Sequence, residues 1–94
     1  MRIKWLDDAV HDLYSLRQYI AQDNNSAAKS VAKKIIDTVE LLAEQPAIGR
    51  QGRVSNTREL VVSGTSYIVP YRIKNEVVEV LRILHCAMKW PNEF

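Results

Sequence analysis

Arg50, Arg53 and Arg58 lie within one short stretch that contains no acidic side chain between them. That spacing builds a local basic surface able to meet phosphates or acidic protein, and its plainer reading is a solvated loop. Arg72 stands inside an apolar run, where a guanidinium must face solvent or be paired. His85 closes the last apolar run, and its ordinary pKa suits acid–base work near neutral pH; a histidine hydrogen-bonded at a strand end would serve structure instead. Lys89 and Trp90 follow in the tail. An aromatic beside a cation suits a protein-binding patch, and a tryptophan can equally cap the end of a core. His11, among polar neighbours, reads as surface.

The surroundings of these residues narrow the chemistry. The net charge is only +2, which disfavours a general nucleic-acid-binding module. The charge is uneven, however: residues 1–45 carry six basic and seven acidic side chains, and residues 46–94 carry seven and four. Cys86 is the only cysteine, so no internal disulfide can form and a reducing, cytoplasmic setting fits. No cofactor or metal is expected. Asp7 and Asp8 interrupt the first residues before any signal-peptide core could form, and no segment is long enough to span a bilayer. With 47% hydrophobic and 26% charged residues, the 94-residue chain is expected to fold as a single domain over 1–94.

The elements that must position the candidates follow from periodicity. Ile3 and Trp5 alternate with Arg2 and Lys4, the pattern of a short half-buried strand. Ala9, Leu13, Leu16 and Ile20 then recur at helical spacing from an N-cap at Asp7 to about Gln22. Asp23-Asn24-Asn25 is turn chemistry, and Ser26 is placed to cap a second helix whose stripe is Ala28, Val31, Ile35, Val39 and Leu42. Pro46 limits that helix. Gly49, Gly52 and Asn56 mark an exposed loop before β-rich runs at 59–62, 67–73 and 77–84. Pro70 interrupts the middle run and calls for a bulge or an unpaired position, because proline cannot donate a ladder hydrogen bond. The expected fold is α+β in the order β-α-α-β-β-β, with a helical hairpin packed on one face of a small antiparallel sheet.

In that order, and in several local elements, the chain resembles the RelE/ParE superfamily of type II toxins, closest to the ParE-like branch. The elements are Asp12-Leu13 with Tyr19-Ile20, Gly49-Arg50-Gln51-Gly52-Arg53-Val54, Thr57-Arg58-Glu59-Leu60-Val61, Tyr67 to Tyr71-Arg72, and Val80 to His85 followed by Trp90-Pro91. The resemblance covers nearly the whole chain and implies a toxin neutralised by a cognate antitoxin protein. It implies one of two targets. ParE-like members bind DNA gyrase without being enzymes, and RelE-like members cut mRNA on the ribosome.

An RNase needs a base for the 2′-hydroxyl, an acid for the leaving oxygen and cations on the phosphorane, for which Arg58, Arg72 and His85 are the candidates, with Glu44 and Tyr71 also available. Many relatives carry glycine at the position of Cys86 and arginine at that of Met88, so a basic group is lost from this tail or shifted to Lys89. The favoured expectation is therefore a gyrase inhibitor that touches its target with Arg50, Arg53, Arg58, Lys89 and Trp90. The alternative is the ribosome-dependent endoribonuclease.

Overall fold

The helices pack together because their apolar stripes are complementary, and the computed structural model, which describes residues 1–94, shows where those stripes go. Strand β1 (Arg2–Trp5) leads into helix α1 (Asp7–Ala21), and helix α2 (Asn25–Glu40) returns against it. Ala9, Leu16, Ile35, Val39 and Leu42 face the sheet and are buried with Leu60, Val62, Val69, Tyr71, Val78, Val80 and Ile83. Both caps differ from the sequence expectation. Leu6 is the N-cap of α1 and makes no side-chain cap, so Asp7 and Asp8 sit inside the first turn, where their charge meets the positive end of the helix dipole. Asn24, with an extended backbone one residue before α2, accepts from the Ala27 N–H and takes the role expected of Ser26.

The sheet consists of β2 (Arg50–Gln51), β3 (Arg58–Val61), β4 (Tyr67–Lys74), β5 (Val77–Val80) and β6 (Leu84–His85) together with β1. Its order is β1-β5-β4-β3-β2, with β6 continuing beside β4. The hairpin covers one face as expected, but the sheet is mixed rather than wholly antiparallel, because β1 runs parallel to β5. Alternation fixes which side chains face the core and is blind to strand direction. The expected last strand is also split in two. Tyr71 opposes Val80 whereas Ile68 opposes Leu84, so Leu81-Arg82-Ile83 faces only Val69-Pro70, and the extra residue makes a bulge. The Pro70 carbonyl accepts from the Leu81 N–H. Its nitrogen therefore points toward the same bulge, which is how the sheet accommodates a proline in a central strand.

The second face is not simply wet. Val54, Ile68, Pro70, Leu81 and Leu84 are buried there, under a tail in which Trp90 and Pro91 are half-buried. No helix is long and apolar enough to cross a membrane.

Candidate functional site

Two arginines of the basic loop are gathered around one acid. Glu59 heads β3 and directly opposes Arg50 across the β2–β3 pair. Its side chain is only 2% exposed, against 54% for Arg50 and 46% for Arg53. Arg50 donates to Oε1 at 3.1 Å, and Arg53 donates to Oε2 at 3.2 Å from Nε and at 2.8 Å from its backbone N–H. Burial pushes the Glu59 carboxyl up, but the Arg53 N–H and the two guanidinia outweigh it and hold the group below its ordinary value of 4.5. The Arg53 guanidinium also lies 3.6 Å from the Trp90 ring centroid, a cation–π contact that anchors the tail. Arg50, Arg53 and Trp90, expected to touch a target, are thus joined in a cluster that first of all neutralises a buried acid.

Arg58 is placed differently. It opposes Tyr71 on the helix-side face and donates through Nη1 to the carbonyls of Gly49 at 2.8 Å and Ala47 at 3.2 Å. Its Nε and Nη2 groups are uncommitted. Tyr71 holds the same loop from below: its fully buried ring donates from the hydroxyl to Pro46 O at 2.7 Å and accepts from the Gly49 N–H at 2.9 Å. Burial raises the Tyr71 pKa, against the opposing effects of that N–H and of Arg58. A Cβ on Gly49 would stand 2.6 Å from the tyrosine ring and hydroxyl, so the close approach requires glycine.

Arg72 extends from the opposite face and is paired with Glu79 at 2.6 Å through Nε, which holds Glu79 below its ordinary value. Arg58 and Arg72 nevertheless both line an open cleft of about 450 Å³ at the end of the β3–β4 pairing, with Gln51, Asn56, Thr57 and Ile73. His85 is elsewhere. It opposes Tyr67, four positions from Tyr71 along β4, on the other side of that strand from Arg58. At roughly 3.3 Å per residue this puts it about 13 Å along the strand from Arg58, with two strand spacings of about 4.8 Å between. It stacks edge-on against Tyr67, and its Nδ1 accepts from the Ala87 N–H at 3.0 Å. Lys89 is exposed and, with Trp90, borders a hollow over Arg82 and Leu84.

The geometry therefore brings Arg50, Arg53 and Trp90 into one cluster and Arg58 with Arg72 into one cleft, and leaves His85 apart from that cleft. The sequence assigned no role to Glu59, and it offered Tyr71 as an acid–base group, whereas its hydroxyl is spent on holding the loop. An acid in an apolar strand, eight positions after one arginine's neighbour and directly before Leu60, was the available signal for Glu59: a charge with that alternation needs partners.

Comparison with known proteins gives a consistent set of relatives. Residues 3–90 match the family model described as ParE toxin of type II toxin-antitoxin system, parDE. Y4kP of Sinorhizobium fredii is 43% identical over 90 residues, covering 96% of this chain and 93% of the relative. Toxin RelE2 of Caulobacter vibrioides is 34% identical over 86 residues, covering 92% and 96%. Among solved structures, a chain from the chromosomal ParDE TA system of P. aeruginosa superposes with a TM-score of 0.81 at 25% identity, over 90% of this chain and 95% of that one.

Proposed function

The chain belongs to the ParE toxin family of type II toxin–antitoxin systems, and from that membership we propose that it arrests growth by binding DNA gyrase without catalysing a reaction, until a cognate antitoxin covers it. The observation that carries the non-enzymatic part is the separation of His85 from Arg58 and Arg72, the two cations it would have to work with. Its Nδ1 lone pair is taken by the Ala87 N–H, and it lies far along β4 from the Arg58–Arg72 cleft. Proton transfer to or from a phosphodiester requires the acid or base within hydrogen-bond reach of the same reacting group that the cations hold. Arg58 is the cation best placed to meet a target, since part of its guanidinium is unspent and no carboxylate neutralises it.

The test uses growth arrest on expression without antitoxin. Removing an essential general acid or base costs ~10²–10⁴-fold in rate, so His85→Ala would nearly silence an RNase and is expected to leave this toxin active. Arg58→Ala is expected to abolish toxicity while antitoxin still binds, and Arg58→Lys to rescue poorly because the planar fork is lost. Site-specific mRNA cuts that vanish in the His85→Ala strain would replace this reading with the endoribonuclease. An Arg58→Ala protein that melts early would assign Arg58 to the loop instead.

A further inference from the structure

The cleft shared by Arg58 and Arg72 exists because β3 leaves β4 too early. Val62 donates to Tyr67 O, and the pairs Leu60–Val69 and Arg58–Tyr71 continue the same ladder. The next position on β4 whose backbone faces β3 is Ile73, whose partner would be Asn56. Asn56 is in the left-handed region at φ 63° and turns the chain away, while Thr57 bonds instead to Val54 and Gly52. The Ile73 N–H thus opens into the cleft with no backbone acceptor.

Donors line the cleft on three sides. Arg58 borders it from the helix-side face with Nε and Nη2 free, Arg72 from the opposite face with only its Nε spent on Glu79, and Ile73 from between them. Gln51 and Asn56 add amides, and no carboxylate lines the cleft. A planar carboxylate presents two oxygens in one plane, whereas a tetrahedral oxoanion presents oxygens to donors that are not coplanar, and guanidinium forks match it well.

We propose that this cleft is a phosphate-binding site, which takes one phosphate group as the free ion or within a nucleic-acid phosphodiester. The volume of about 450 Å³ leaves room beyond the phosphate itself for an attached sugar. The site stands independently of gyrase as the target, because binding to the isolated toxin reads it directly.

The experiment is a titration of the full chain, with amide and arginine Nε–H shifts followed by NMR, against inorganic phosphate, acetate and a tetrathymidylate in parallel. Phosphate is expected to saturate the Ile73 amide and the Arg58 and Arg72 signals, and acetate to bind at least about tenfold more weakly. Gln51→Glu places a negative charge at an exposed lining position without removing any bond of the fold, and is expected to abolish the response; Arg72→Gln should weaken it about tenfold or more. Tighter binding of the oligonucleotide than of phosphate assigns the site to a phosphodiester, and binding of phosphate alone assigns it to the free ion. Equal binding of acetate and phosphate, non-saturating shifts, or an undiminished response in folded Gln51→Glu would overturn the proposal.

Discussion

Replacing Arg50 and Arg53 together by methionine is expected to lower stability by about 3–5 kcal/mol, even though both arginines are about half exposed. The reason lies in the partner they leave behind. Glu59 is 2% exposed, and without the guanidinia its carboxylate keeps only the Arg53 N–H. That surviving bond favours the lower end of the range. In a domain of this size about 4–8 °C of Tm accompanies each kcal/mol, so a fall of roughly 12 °C or more should be seen.

The pH dependence should change sign at this residue. In the parent protein the Glu59 pKa is lowered on folding, so its contribution is complete above the ordinary value of 4.5 and is lost as pH falls through the lower folded value. In the double variant burial dominates and raises the folded pKa, so this residue then favours folding on acidification. Urea midpoints from about pH 3 to about pH 7, with Glu59→Gln as the non-titrating control, read the difference. A double variant as stable as its parent at neutral pH would show that the cluster contributes nothing to the fold and would return Arg50 and Arg53 to the list of free surface cations.

The second large effect is expected at Asp12→Ala. This carboxylate on α1 accepts from Arg82 Nε at 2.7 Å and Nη2 at 3.1 Å, and from the Ile83 N–H at 2.9 Å. It thereby ties the first helix to the bulge between β5 and β6. The hydrogen bond from Arg82 to Asp12 raises the Arg82 pKa, against the opposing effect of burial. Alanine leaves the N–H of the buried Ile83 without an acceptor and Arg82 without its carboxylate, at a cost of about 3 kcal/mol. Asn should cost less, since its carbonyl can still accept. Hydrogen exchange at Ile83 gives the local readout: protection is expected to collapse in the alanine variant, and an unchanged exchange rate with an unchanged Tm would contradict the assignment.

Both effects rest on residues whose importance is hard to see in a single sequence. The helices and the longer strands were legible because each depends on local periodicity: the stripe Ala9, Leu13, Leu16, Ile20 is enough to orient α1. Pro70 was legible for a similar reason, since one missing N–H demands a break in one ladder, and the bulge at Leu81-Arg82-Ile83 supplies it. The expected exposed loop was not, since Arg50–Gln51 within it pairs with β3 and Val54 and Thr57 are buried. The parallel docking of β1 on β5 was not, because about seventy residues separate the strands and nothing in Ile3 or Trp5 encodes direction. The same distance hides the Asp12–Arg82 pair.

The candidate residues divide along this line. Arg58, read in the sequence as one of three arginines of a basic loop, lines a cleft with Arg72; Arg50 and Arg53 look alike in sequence but meet Glu59 once the chain folds. His85 lies near the end of the chain from Arg72 only in sequence terms, thirteen positions on, and the β4–β6 register sends it to the far end of the strand.

An in vitro supercoiling assay with purified gyrase, relaxed plasmid and ATP reads the proposed gyrase binding without intermediaries. The toxin is expected to inhibit supercoiling in a dose-dependent way, to lose that inhibition when its antitoxin is added or Arg58 is replaced by alanine, and to keep it in His85→Ala. Full supercoiling at saturating folded toxin, together with mRNA cleavage on programmed ribosomes by the same preparation, would contradict it.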